Sequence, residues 1–236
     1  MLLLCVLVVL GVSVYVVIGR REPKTVHEAA GRGRLKTVKL LLKADPLLLN
    51  LVDKQGDTPL NKAILGRQLE MCKFLIGRGC RIDPDTPQEW PAIVCAASRY
   101  GEVSDQIMQL LIDAGADVNA IYEPERVSAI HAAANNAMEA KVRMLVGAGA
   151  DPNVLDKLGE TALDRAVGTL SFLTGPPPDE VGPKWPDTEE HRGEIARLKR
   201  IIEYLKAHGA LRAKELPQSR EKSRGEHGKT PANSQN

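Results

Sequence analysis

The side chains best suited to catalysis or metal binding in this sequence are its cysteines, histidines and aspartates, and their spacing favours structural roles. No CxxC pair occurs, and no cysteine–histidine spacing suits zinc; the four cysteines are Cys5, Cys72, Cys80 and Cys95. The sequence also lacks a P-loop, a nucleophile elbow, an HExxH helix, a GxGxxG turn and an EF-hand loop. We therefore expect a non-catalytic protein that has no metal and no cofactor.

The remaining polar candidates follow a period of about 33 residues along the chain. Asp117, Asp151 and Asp156 stand at the junctions of this period, which indicates turn and helix-capping residues rather than a paired acid and base. Cys72, Cys80 and Cys95 fall at positions that we expect to face inward. Buried cysteines without a partner usually act as small hydrophobic side chains.

The stretch from Asp53 to Asp83 gives the clearest view of the repeating unit. A turn leads to Thr58, whose hydroxyl can cap a helix, and Pro59 suits the first helical position. A second helix is predicted from Leu69 to Gly77, and Gly79 suits the left-handed residue that follows a helix. The unit is therefore a turn followed by two antiparallel helices.

This unit recurs along the chain in one register. Its first position falls at Lys24, Thr58, Pro91, Ser128 and Thr161, in steps of 34, 33, 37 and 33 residues. The extra residues of the third unit are expected in the turn between its two helices, from Ser98 to Asp105. This turn would be about three residues longer than in the other units.

The pattern resembles that of ankyrin-repeat proteins from about Lys24 to Arg212. Its marks are the Thr58-Pro59-Leu60 start and the Gly115-Ala116-Asp117 ending. The resemblance implies an all-α solenoid of about five helix-turn-helix repeats within residues 20–212. It also implies that His27 and His131 hydrogen-bond neighbouring turns.

The fifth repeat departs from the pattern. Its first helix should run from Thr161 to about Leu170, and a proline-rich insertion occupies residues 171–193. A second helix should begin near Glu190 and close the solenoid as a charged cap. Residues 213–236 are poor in apolar side chains, so we expect a disordered tail.

Residues 1–18 carry no charged side chain, and as a helix they would span about 27 Å, close to the thickness of a bilayer core. Arg20, Arg21 and Lys24 follow immediately. This order favours a transmembrane signal anchor over residues 1–19 with the repeats in the cytoplasm. A cleaved signal peptide, which would give a periplasmic or secreted protein, is the alternative.

Composition limits the class of partner. The chain is 43% hydrophobic and 26% charged, with a formal net charge of +2. Without a basic stripe of the kind that DNA-binding and RNA-binding proteins use, we expect no nucleic-acid partner.

The resemblance implies that an unknown protein partner binds the concave face of the solenoid. We expect the site to centre on Trp90, Arg99 and Tyr100, because these residue types dominate binding hot spots. Glu89, Glu125 and Arg126 would form a charged rim, and Lys54, Gln55, Asp57 and Lys157 would lie on neighbouring turns. Alternatively, Trp90 packs under Pro87 or Pro91 and supports the turn.

The sequence thus predicts a membrane-anchored, non-catalytic ankyrin-repeat protein that mediates protein–protein interaction. The alternative is a secreted or periplasmic ankyrin protein that acts in stress protection or inhibits a toxin or an enzyme.

Overall fold

A computed structural model of the protein describes residues 25–175 and 188–217. The predicted anchor over residues 1–19, most of the proline-rich insertion and the tail beyond residue 217 lie outside these ranges. None of the helices that the structure describes combines the length and the apolar composition needed to cross a bilayer.

The described residues form ten α-helices and one short hairpin, so the fold is mostly helical. The helices are α1 Val26–Gly31, α2 Leu35–Ala44, α3 Pro59–Leu65, α4 Leu69–Gly77, α5 Ala92–Ala97, α6 Glu102–Asp113, α7 Ala129–Asn135, α8 Glu139–Gly147, α9 Ala162–Thr174 and α10 Glu189–Ala207. The hairpin pairs β1, Ile121–Tyr122, with β2, Val127–Ser128, in antiparallel register. Two 3-10 helices cover Pro46–Asn50 and Ala213–Glu215.

Capping side chains determine where the first helix of a repeat begins. The Thr58 hydroxyl accepts a hydrogen bond from the backbone N–H of Asn61, and Thr25 and Thr161 do the same for α1 and α9. Pro59 occupies the first helical position, as the sequence predicts. Gly79 has a φ of 75°, which supports its predicted place after the second helix.

The first helices pack against one another in chain order, and the second helices do so from α4 to α10. Alanine lets the first helices approach closely, and the fully buried alanines at the matching position are Ala29, Ala63, Ala96, Ala133 and Ala166. In the second helices a leucine fills the equivalent interior position, and these leucines are Leu75, Leu111, Leu145 and Leu205, each without solvent exposure.

The third repeat is lengthened in a different place from the one predicted. The turn between α5 and α6, Ser98–Gly101, is one residue longer than the three-residue turns of the first, second and fourth repeats. The additional length lies mainly in α6, which has 12 residues where α4 and α8 have nine. Ile107, Met108 and Leu111 bury one face of this helix, so the extra turn is held by the core.

Three further features of the structure differ from the predictions made from the sequence. The hairpin of β1 and β2 makes the fold mostly helical rather than all-α. Helix α9 continues to Thr174 instead of Leu170, because the first proline of the insertion stands at Pro176 and disfavours a helical conformation only at the residue before it. Regular structure also passes Arg212, since Ala213–Glu215 forms a 3-10 helix whose first N–H donates to the carboxylate of Asp164 at 2.7 Å.

Candidate protein-interaction surface

Aspartates shape the turns that carry the predicted binding residues. The Asp53 carboxylate accepts hydrogen bonds from the backbone N–H groups of Gln55 and Asp57, at 2.8 and 3.0 Å. Burial alone would raise the pKa of Asp53, but its bonds to Lys62 and to these N–H groups outweigh burial and lower it. The turn exposes Lys54 and Gln55 to solvent, as predicted.

The equivalent turn of the fifth repeat is also held by an aspartate that accepts hydrogen bonds from the backbone, and here the carboxylate is buried. Asp156 has no solvent exposure, and it accepts hydrogen bonds from the N–H groups of Leu158 and Glu160 at 2.8 and 2.9 Å. Arg165 pairs with the same carboxylate. Lys157 therefore lies exposed at the tip of the turn, and its Nζ is 3.3 Å from the carboxylate of Glu125.

Trp90 is partly exposed and stacks on Tyr122 of the next turn. The two ring centroids are 3.6 Å apart and the ring planes differ by 12°. The backbone of Trp90 is fixed to the preceding turn, because its N–H donates to the carbonyl of Gly56 at 3.2 Å and its carbonyl accepts from the Asn61 side chain at 2.7 Å. Trp90 thus joins the turns of the second and third repeats through its backbone, and the turns of the third and fourth repeats through its indole.

Two residues of the predicted binding surface are buried: Glu89 of the predicted rim and Asp57 of a neighbouring turn. Glu89 is only 6% exposed, and its carboxylate pairs with Arg81 and accepts from the hydroxyl of Thr86 at 3.1 Å. Asp57 is also 6% exposed and pairs with Lys62 at 2.5 Å. Each carboxylate is paired with a nearby cation, so both hold turns in place instead of presenting charge to solvent.

The hairpin tip carries the rest of the predicted charged rim. Glu125 and Arg126 are exposed, and Arg126 adopts a left-handed backbone conformation with a φ of 50°. The Arg126 guanidinium lies 3.8 Å from Glu123. Together with Trp90, Tyr122, Lys54, Gln55 and Lys157, these residues form what we call the finger surface: an aromatic pair flanked by charges of both signs.

Arg99 and Tyr100 are separated from Trp90 by the length of α5. Six helical residues span about 9 Å, and every residue of α5 is buried. The predicted three-residue centre is therefore two exposed sites. Tyr100 is 60% exposed and donates to the carbonyl of Asn136 at 3.2 Å, and a cleft of about 210 Å3 beside it is lined by Arg99, Arg197 and Lys141 among others.

Lys141 was missed by the sequence analysis. It is 1% exposed, and its Nζ donates to the carbonyl of Ala96 at 2.7 Å, to the hydroxyl of Ser104 at 2.9 Å and to the carbonyl of Arg99. Burial lowers the pKa of Lys141 to about 8, although Asp105 at 3.7 Å opposes the shift. The sequence alignment of the repeats could have predicted that Lys141 is buried, because the equivalent residue of the second repeat is the apolar Met71, which is buried.

The histidines and cysteines act as the repeat pattern predicts. Nε2 of His27 bonds the carbonyl of Leu51 at 2.8 Å, and Nε2 of His131 bonds the carbonyl of Glu160 at 3.1 Å. Burial lowers the pKa of His131. The three repeat cysteines are free and buried, and burial raises the pKa of each thiol to about 12. Within the described ranges no histidine, cysteine or carboxylate cluster could hold a metal ion.

Curated relatives share the repeat but are much longer proteins. The chain is 33% identical over 143 residues to ankyrin repeat protein nuc-2 of Neurospora crassa, 32% over 121 residues to alpha-latroinsectotoxin-Lt1a of Latrodectus tredecimguttatus, and 38% over 55 residues to palmitoyltransferase akr1 of Schizosaccharomyces pombe. These matches cover 60%, 51% and 23% of this chain, and 13%, 8% and 9% of the respective relatives.

The family comparison covers most of the described solenoid. A model of three ankyrin repeats matches residues 6–88 and 26–122, and a model of multiple ankyrin repeats matches residues 130–172. Together the matches include more than half of the 236-residue chain. Within the described residues the matches run from α1 to most of α9. The chain belongs to the ankyrin-repeat family.

Proposed function

We propose that this protein is a non-catalytic interaction module whose finger surface binds a protein partner. The observation that carries the proposal is the stacked pair of Trp90 and Tyr122, which keeps two partly exposed aromatic rings at the tips of adjacent repeats. Tryptophan and tyrosine supply large contact areas at a small cost in conformational entropy. The Trp90 backbone is fixed by the preceding turn and Tyr122 is paired within the hairpin, so little further ordering is needed on binding.

The charges around the aromatic pair fit a protein partner better than a nucleic acid. Lys54 and Lys157 provide positive charge, while Glu123 and Glu125 provide negative charge within the same row of turns. Protein surfaces that bind nucleic acid are rich in lysine and arginine, so their charge is mainly positive. A partner with patches of both signs would match this rim, and the rim would influence the rate of association more than the affinity.

Arg99 and Tyr100 extend the proposal to a second contact. Arg99 lines the cleft beside Tyr100, and no ion pair holds it within the described part of the chain. No side chain between Trp90 and Ser98 is exposed. A partner on the finger surface would therefore reach this cleft only if it extends along the whole length of α5. A partner that contacts the finger surface alone would be insensitive to Arg99.

We further propose that residues 1–18 anchor the protein in a membrane and that the repeats face the cytoplasm. The support is an uncharged segment of 18 residues followed by Arg20, Arg21 and Lys24. The alternative is a cleaved signal and a periplasmic or secreted protein that acts in stress protection or inhibits a toxin or an enzyme.

Protease protection tests the proposed topology. In microsomes or spheroplasts, repeats in the cytoplasm are digested only when protease is added to the cytoplasmic side. Repeats that are accessible from the opposite side, or a soluble product that begins after residue 18, would contradict the anchor.

Site-specific photocrosslinking tests the binding surface. We expect a photoreactive side chain at Gln55 to capture a defined partner, because Gln55 is exposed on the finger surface. A matched probe at Gln109, which is exposed on α6, is the control. Equal capture at both positions would contradict a partner site on the finger surface.

A further inference from the structure

The first repeat carries an exposed face that its ankyrin fold does not require. Lys36, Lys39, Leu40 and Lys43 are exposed on α2 and recur at the three- and four-residue intervals that place side chains on one face of a helix. We call these four residues the basic face. Leu40 is 69% exposed, and Leu47 on the adjoining 3-10 helix is 84% exposed.

The charge of this face is uncompensated. Residues 33–44 contain three lysines and Arg34 and no aspartate or glutamate. Within the described part of the chain Lys36, Lys39 and Lys43 make no ion pair, and Lys39 lies 5.3 Å from the centre of the Phe74 ring. Arg78, which directly follows α4, lies 5.7 Å from the centre of the same ring, so the positive charge continues onto the second repeat.

The basic character stops at the third repeat. The exposed face of α6 carries Glu102 and Asp113 with two glutamines and no cation. The cations of α2 are therefore not continued on α6, and they lie at the end of the solenoid that follows residues 1–24. A cleft of about 210 Å3, lined by Leu42, Pro46, Leu49 and Arg78, lies at the same end.

We infer that the basic face docks against the surface of an anionic lipid bilayer. Lysines around exposed leucines are the combination that interfacial helices use, with charge attracted to lipid headgroups and apolar side chains entering the headgroup region. The choice of a membrane rests on the proposed anchor, because residues 1–18 are apolar and are joined to this repeat through Arg20, Arg21 and Lys24. Docking would hold the first repeat on the bilayer while the finger surface, which lies on the turns of the later repeats, extends away from it.

The experiment places an environment-sensitive fluorophore on the full chain at Leu40→Cys, in a Cys5→Ser background. The other three cysteines are buried, so the introduced thiol reacts first. A probe at Leu158→Cys is the matched control, because Leu158 is 72% exposed on the turn of the fifth repeat. The vesicles contain phosphatidylcholine alone or phosphatidylcholine mixed with phosphatidylserine.

We expect the probe at position 40 to shift to shorter wavelength on vesicles that contain phosphatidylserine, and the probe at position 158 to remain unchanged. Each lysine near an anionic surface is worth about a five-fold factor in binding. The Lys36→Gln, Lys39→Gln, Lys43→Gln variant should therefore abolish the shift, and high salt should weaken it. The control variant Lys199→Gln, Lys206→Gln, Lys214→Gln removes the same amount of charge at the far end of the solenoid. It should retain the spectral shift of the probe at position 40.

Flotation of the unlabelled chain separates this inference from the proposed anchor. A chain that floats with both vesicle types but shows no shift at position 40 overturns the docking face and leaves the anchor standing. A chain that floats only with phosphatidylserine vesicles, and only with its α2 lysines intact, supports the face and contradicts the anchor. A shift that survives the α2 variant, or a chain that floats with neither vesicle type, overturns the docking face.

Discussion

Nζ of Lys141 donates a hydrogen bond of 2.7 Å to the carbonyl oxygen of Ala96, the penultimate residue of the first helix in the preceding repeat. With the bonds to Arg99 and Ser104, this ammonium group satisfies the end of α5 and the turn that follows it. A lysine in the interior thus replaces the apolar side chain that Met71 supplies in the second repeat. It holds the one turn of the described repeats that is four residues long.

Lys141→Met should destabilise the protein by about 1–3 kcal/mol near neutral pH, because buried acceptors lose their donor. The variant keeps a side chain of similar length, so the loss reports on the hydrogen bonds rather than on a cavity. Urea unfolding of the native chain and the variant measures the difference. A variant as stable as the native chain would show that Lys141 only fills space.

The same pair of proteins gives a prediction for pH. The native state releases the Lys141 proton at about pH 8, while the ordinary pKa is near 10.5. Between these values the unfolded chain binds more protons, so the free energy of unfolding of the native chain rises with pH relative to that of Lys141→Met. The comparison cancels the contribution of the three buried thiols, which both proteins share. A difference that shrinks from about pH 8 to about pH 10 would contradict the burial of Lys141.

Leu75 and Cys80 should respond very differently to replacement by alanine. Leu75 has no solvent exposure, and its truncation should cost about 2–5 kcal/mol through lost contacts and a residual cavity. Cys80→Ala should be nearly neutral, because Ala116 and Ala150 occupy the same position after a left-handed glycine in later repeats. Thermal melts with and without reductant and chelator measure both effects. A large loss of stability on reduction or chelation would refute folding without disulfide or metal.

Gly66 tests how closely the first two repeats approach. A Cβ at Gly66 would lie 2.1 Å from the carbonyl oxygen of Gly31, although the φ of −80° suits any residue. Gly66→Ala should therefore force the repeats apart and lower the melting temperature.

Gly77→Ala is the matched control for Gly66→Ala. A Cβ there would meet no atom within 4 Å, and alanine favours a helix over glycine by about 0.5–1 kcal/mol. We expect this variant to be as stable as the native chain or slightly more so. Equal losses at both positions would mean that the contact with Gly31 is unimportant.

The sequence predicts those features of the structure that depend on residues close together in the chain. It does not predict contacts between side chains of different repeats. Thr58, Pro59 and Gly79 act within a few residues of their own position, and the structure confirms their predicted roles. The inward burial of Glu89 depends on Arg81, and the stack of Trp90 depends on Tyr122 of the next repeat. Those arrangements require the relative positions of adjacent turns, which the repeat period alone does not supply.

The helix lengths show the same limit. The 37-residue step reveals that the third repeat is longer, but the residues are equally compatible with a longer turn or a longer helix. Packing of Ile107, Met108 and Leu111 against the core decides in favour of the helix. Because Arg99 and Tyr100 then follow a fully buried α5, they lie apart from Trp90.

Affinity for the crosslinked partner, measured for Trp90→Ala beside Glu125→Ala, tests the central claim most directly. Loss of an aromatic hot spot costs about 2 kcal/mol or more, a factor of roughly 30 in affinity, whereas an exposed rim charge costs much less. We predict that Trp90→Ala weakens binding by at least this factor and that Glu125→Ala changes it only slightly. If Trp90→Ala binds as tightly as the native chain while its melting temperature falls, Trp90 serves only to pack the turn against Tyr122, and the finger surface is not the binding site.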